Sequence, residues 1–198
     1  MTLNPDDLSP GPPLPPNRRA DADEYMWVIT EPLPDGEGYM VTIQLNQDNV
    51  LSLTPDQATM WAKGFLTAAA RAEYDTAVIR QLSAKLKISV QDAVRQVMTM
   101  RDDRPPVEGV DPLTLEPGVA MDGTSEDPTF RAFIAMYLPG RKKYGQVDPK
   151  GAREHALIVL ESIAVAELDA AYKRSLIGQV GVAEGTARQV IHDLANFR

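Results

Sequence analysis

TPDQATMWAKGFLTAAARAEYDTAVIRQLSAKLKISVQDAVRQVMTMRDDR (residues 54–104) and DPKGAREHALIVLESIAVAELDAAYKRSLIGQVGVAEGTARQVIHDLANFR (residues 148–198) read as one pattern written twice. Laid over each other without a gap, at an offset of 94, they are identical at 13 of 51 positions. A composition this rich in alanine would give roughly three to five by chance, so the reading is an internal duplication. Each copy opens on a helix start: Thr54-Pro55-Asp56-Gln57 offers a cap, a proline at the first helical position and a Gln to close a capping box, and Asp148-Pro149 repeats the first two parts. The first helix is expected to run to about Leu86 and to be followed by a short one over Val90–Arg101.

Working outward, Tyr25–Leu53 has the period of two that marks strands, with turns at Pro34–Gly38 and Asn46–Asn49, and predicts a three-stranded antiparallel meander. Phe133–Leu138, a turn at Pro139–Lys142 and Tyr144–Val147 predict a shorter hairpin ahead of the second copy. Residues 1–24 hold six prolines and little to bury, which reads as a disordered or polyproline-II tail. Residues 105–127, rich in proline, glycine and acids and without periodicity, read as an extended linker. The expected protein is α+β and mainly α. A tail (1–24), a first repeat (25–104), a linker (105–127) and a second repeat (128–198) make two fused, pseudo-symmetric units, each a small sheet followed by a long and a short helix.

On a helical wheel the identities Ala62, Leu66, Ala70, Glu73, Ala77 and Arg80 share one stripe, as do Ala156, Leu160, Ala164, Glu167, Ala171 and Arg174. An alanine-rich stripe lets two helices approach closely. The expectation is that the long helices pack antiparallel through these stripes, Glu73 facing Arg174 and Glu167 facing Arg80; the alternative keeps each Glu–Arg pair within its own helix. Asp75 and Asp169 recur as well but lie off the stripe, with a structural role expected.

The formal net charge of −8 argues against general nucleic-acid or anionic-membrane binding. Residues 54–104 carry +2, residues 148–198 carry −1, and the remainder −9. With no cysteine, disulfides and thiolate chemistry are excluded. No apolar run approaches the length of a membrane span and the first 24 residues lack a hydrophobic core segment, so a cytoplasmic protein is expected. Neither His155 nor His192 stands in a metal-ligand spacing, and their counterparts in the first copy are Trp61 and Met98. No phosphate-binding glycine loop or nucleophile elbow occurs. Accordingly no catalytic residue, cofactor or metal is assigned, and the expected role is non-enzymatic: interaction with a protein partner or with itself, away from membranes.

Nucleic acid is the alternative partner. Ser175–Ile191 resembles a helix-turn-helix, ending one helix at Gly181 and presenting Thr186, Arg188, Gln189 and His192 from the next; Leu82–Val97, with Lys87 at the glycine position, would present Gln91 and Arg95. Glu184 and Asp193 would face phosphates, which weighs on the other side. A third option is a small-molecule pocket between the halves, roofed by Trp27, Trp61 or Tyr137.

The helix start Leu-Thr-Pro-Asp-Gln-Ala (53–58), Ala-Ala-Ala-Arg-Ala-Glu-Tyr-Asp (68–75), Asp-Arg-Pro-Pro (103–106), Leu-Glu-Pro-Gly-Val (115–119) and the close from Leu-Asp-Ala-Ala-Tyr (168–172) to Asp-Leu-Ala-Asn-Phe-Arg (193–198) resemble small tandem-repeat proteins of actinobacteria and their phages, a group without an assigned activity. The resemblance spans residues 39–198. It implies cytoplasmic placement and carries no catalytic residue.

Overall fold

The structure, a computed structural model, describes residues 26–33, 38–45, 50–102, 112–123 and 128–195. The proline-rich stretch 1–24, the meander's two turns and the first part of the expected linker lie outside these. Four helices and two three-stranded antiparallel sheets make up the described α+β chain.

The first sheet is the expected meander: β1 (Trp27–Pro32), β2 (Tyr39–Gln44) and β3 (Val50–Leu53), in that order. Val41 and Ile43 point from β2 into the core, as the alternation requires. α1 (Pro55–Leu86) follows. The Thr54 hydroxyl accepts from the Gln57 N–H at 3.3 Å and the Gln57 side chain accepts from the Thr54 N–H at 3.0 Å, which completes the capping box. Lys87 adopts a left-handed φ of 52° to end the helix, and α2 (Val90–Asp102) begins after Ser89, whose hydroxyl accepts from the Asp92 N–H.

The expected linker is corrected here. Thr114–Gly123 form β4, a ten-residue strand paired along its whole length with β5 (Pro128–Leu138). Pro117 and Gly118 hide it from a pattern search, but Gly118 stands opposite Phe133, whose ring occupies the space a Cβ would need. A 3-10 turn at Pro139–Arg141 leads into β6 (Lys142–Val147), so the second sheet is three-stranded rather than a hairpin, in the order β4-β5-β6. α3 (Pro149–Gly178) starts on the Asp148 carboxylate, which accepts from the Gly151 N–H at 2.6 Å. It ends at a left-handed Gly181 (φ 75°), the Val182 N–H reaching back to the Leu176 carbonyl, and α4 (Glu184–Ala195) returns against it.

α1 packs along α3, and the sheets are exchanged beneath them: β1 and β2 lie mainly against α3, β4 and β5 mainly against α1. One core joins all of these, from Val41, Ile43 and Leu45 through Ile134 and Met136 to Trp61, Phe65 and Val159. The Tyr144 hydroxyl donates to the Leu45 carbonyl and ties β6 to the end of β2.

The predicted stripe does not mediate this packing. Only Ala62 and Ala156 are buried; Leu66, Ala70, Glu73, Ala77 and Arg80 are exposed, as are Leu160, Ala164, Glu167, Ala171 and Arg174. The buried face of α1 runs instead through Ala58, Ala62, Phe65, Ala69, Ala72 and Thr76, roughly 75° around the helix from the expected one. The crossed ion pairs are replaced too. Glu73 is held bidentately by Arg153 near the start of α3, with Nη1 2.7 Å from Oε1, and Arg80 donates to the Phe130 carbonyl at 2.8 Å while lying over its ring.

Candidate functional site

Where α1 crosses α3, Trp61 and His155 meet. The indole Nε1–H donates to His155 Nε2 at 2.9 Å, which leaves the imidazole proton on Nδ1, and the Phe65 ring stands edge-on to the imidazole at 4.7 Å. Burial pushes the imidazole pKa down to about 4, so the ring is a neutral acceptor at physiological pH. Two residues 94 apart thus share a hydrogen bond in the core. This pair is structural: both rings are buried.

The polar chemistry gathers elsewhere. Asp169 sits on the inner face of α3, 1% exposed. The turn at Gly181 folds α4 back so that Gly185, Arg188, Gln189, Ile191 and His192 face the same space. Thr30 and Pro32 of β1 and Tyr39 of β2 close the other side, with Pro32 and Tyr39 paired across the strands. The result is a half-open cleft of about 220 Å³, about seven waters in volume at their liquid packing.

Its electrostatics are mixed. Burial raises the Tyr39 phenol's pKa, the nearby Asp169 raises it further, and Arg188 opposes them, so the phenol stays protonated and serves as a hydrogen-bonding group. Arg188 reaches back one turn to Glu184 at 2.6 Å, and the buried Lys173 approaches the same carboxylate oxygen at 3.4 Å. The Arg188 hydrogen bond and then that of Lys173 hold the Glu184 carboxyl below its ordinary pKa. Gln189 donates to Asp193 at 2.7 Å.

Asp75, 94 residues earlier, is also 1% exposed. Arg101 of α2 places Nε 2.7 Å from Asp75 Oδ2, and Leu82, Ile88, Val94, Val119 and Phe130 pack against a small core of Ile79, Ala93 and Val97. One buried acid therefore meets a guanidinium, and the other borders an open cleft.

The residues expected to read DNA divide between these settings. On α2, Gln91 and Arg95 are exposed, and Arg95 is drawn to Asp92 at 3.3 Å. On α4, Thr186 is exposed, while Arg188 and Gln189 line the cleft and are bonded to carboxylates of their own helix. Of the residues expected to roof a pocket, neither Trp27 nor Tyr137 borders this one. Sequence reasoning missed Thr30, Pro32 and Tyr39; no spacing links a meander to a helix more than a hundred residues on. The signal that was available is the recurrence of Asp75 and Asp169.

Among the described residues no group of three His, Asp or Glu side chains is placed to hold a metal ion, and no helix is long and apolar enough to cross a membrane. Set against protein-family models, curated proteins and solved structures, the chain matches none.

Proposed function

We propose that the chain is two copies of one sheet–helix–helix unit fused end to end, and that it works in the cytoplasm as a non-enzymatic interaction module that assembles with a second copy of itself. The duplication is supported by the hydrogen bond between Trp61 and His155, which a pseudo-twofold axis through the α1–α3 crossing would bring face to face. Burial at matching positions supports it as well: Ala58 with Ala152, Ala72 with Ala166, Asp75 with Asp169, Ala93 with Ala187. So do the left-handed turns at Lys87 and Gly181, again 94 apart.

One observation carries the interaction reading. The outer faces of α1 and α3 leave apolar side chains in solvent at equivalent positions, Leu66 (40% exposed) with Leu160 (38%), and Tyr74 with Leu168. Leu66, Ala70 and Tyr74 border an open groove along α1. Apolar strips related by a twofold are self-complementary, the property an isologous dimer requires. Sedimentation velocity between 1 and 200 μM tests this. Self-association is expected for the wild type and its loss for the Leu66→Glu/Leu160→Glu double variant, with the far-UV spectrum unchanged. A wild type that stays monomeric across that range refutes it.

The DNA alternative is disfavoured by the acids beside the side chains it needs, because Asp92 next to Arg95, Glu184 next to Arg188 and Asp193 next to Gln189 would face the phosphates.

A further inference from the structure

We infer that the second copy docks on α3: two α3 helices pack antiparallel about a twofold axis between Ala170 and Ala171, with Glu167 of each copy on Arg174 of the other. The inference rests on the self-assembly proposed above and narrows it from two outer helix faces to one seam.

Three observations lead to it. First, α3 carries an uninterrupted apolar strip on its outer face. Leu157, Leu160, Leu168 and Tyr172 are all exposed and lie within about 120° of one another around the helix. The matching positions of α1 hold Lys63, Leu66, Tyr74 and the half-buried Val78, so a charge interrupts that face. Second, an acid and a base border the α3 strip along one side. Glu167 and Arg174 stand two turns apart, both exposed, and neither side chain has a hydrogen-bond or ion-pair partner among the described residues. Their counterparts on α1 are engaged within the chain, Glu73 by Arg153 and Arg80 by the Phe130 carbonyl. Only the α3 pair is left for a partner. Third, a single register satisfies the charges and the apolar side chains together. In antiparallel helices related by a twofold axis, each flank of the seam meets the same flank of its mate. Setting Glu167 level with Arg174 of the second copy puts the axis midway between them. To within one residue, about 1.5 Å along the helix, Leu168 then comes level with Tyr172 on the other flank and Ala171 meets itself at the centre, where a small side chain lets the backbones approach. Leu160 comes level with Val180, which is 67% exposed just past the end of α3. This self-complementarity in charge selects a second copy of the chain as the occupant.

Charge exchange tests the seam, read as the dimer dissociation constant from sedimentation velocity of full-length protein at low salt. Glu167→Arg and Arg174→Glu should each weaken the dimer at least tenfold, because the axis makes every substitution act twice. The double variant Glu167→Arg/Arg174→Glu restores opposite charges across the seam and should return to within about threefold of the wild type. The two single variants, each poor at pairing with itself, should associate with one another when mixed, since every contact in the mixed dimer again joins an acid to a base. Leu168→Glu should weaken the dimer at least tenfold and Leu66→Glu by less than threefold. All four side chains are exposed, so the substitutions leave the core intact. A double variant as weak as the single ones, no association in the mixture, or a loss in Leu66→Glu equal to that in Leu168→Glu would overturn the α3 seam while leaving self-association standing. A wild type that stays monomeric up to 200 μM defeats the self-assembly reading itself, so the two failures are told apart.

Discussion

Acidification should loosen the α1–α3 crossing through a single imidazole. His155 is neutral in the folded chain because burial lowers its pKa from 6.5 to about 4. Between those values the unfolded chain takes up a proton that the folded chain refuses. Stability therefore rises with pH across the window, is fully present above about 6.5, and is lost as pH falls towards 4. The gap corresponds to about 3 kcal/mol at 1.36 kcal/mol per pH unit, of which about 2 kcal/mol is gone by pH 5. The structural cause is specific. Protonation would place a hydrogen on Nε2, the atom that now accepts the Trp61 N–H at 2.9 Å, so two donors would oppose each other in the core. Urea unfolding followed by tryptophan fluorescence at pH 7.5, 6.5 and 5.0 measures the slope. His155→Gln keeps an acceptor for the indole and removes the titration, so its stability should stay nearly level over that range. Glu73 and Glu184 also have lowered pKa values, but carboxylates of that kind lose most of their contribution below about pH 4.5, under the lowest pH of this assay. Parallel pH profiles for wild type and His155→Gln would refute the reasoning.

Two further outcomes follow from buried contacts. Arg101→Ala removes the guanidinium from Asp75, which is 1% exposed, and should cost about 3 kcal/mol; at 2–4 °C per kcal/mol for a chain of this size the melting temperature falls by about 6–12 °C in calorimetry, and a drop under 2 °C would show that the pair is solvated. Gly118→Ala puts a Cβ 2.3 Å from the Phe133 ring and should destabilise by about 1–3 kcal/mol in urea unfolding; a neutral substitution would mean that β4 does not lie against Phe133.

The helix ends were legible because capping is local chemistry. Thr54 and Gln57 satisfy each other's backbone N–H groups within four residues, and Asp148 does half of this for α3, so both starts fall where the sequence places them. The meander was legible for a similar reason: alternation in β2 is written into six consecutive residues. β4 was not, because its stability comes from elsewhere. Leu115-Glu116-Pro117-Gly118-Val119 has the composition of a linker and becomes a strand only because β5 offers a continuous partner and α1 covers it. The cleft was illegible for the same reason, since its wall at Thr30, Pro32 and Tyr39 meets its floor at Asp169 only after the sheets have exchanged helices.

That exchange also explains why the identities between residues 54–104 and 148–198 pointed to the wrong helix face. Both the stripe through Leu66 and Ala70 and the face through Ala58, Ala69 and Ala72 contain alanine, so either satisfies the geometry of close helix packing. What decides between them is where the sheets lie. β4 and β5 approach α1 from the second half of the chain, and β1 and β2 approach α3 from the first, so the buried face of each long helix is set largely by strands belonging to the other half. Identity at Ala62/Ala156 and Asp75/Asp169 then reflects burial, whereas Leu66/Leu160 and Ala70/Ala164 are alike while standing in solvent. Packing accounts for the first group and not for the second. Leucines that match in both halves yet stay about 40% exposed gain only part of their burial from the fold, and for that reason the self-assembly proposal rests on them rather than on the buried face.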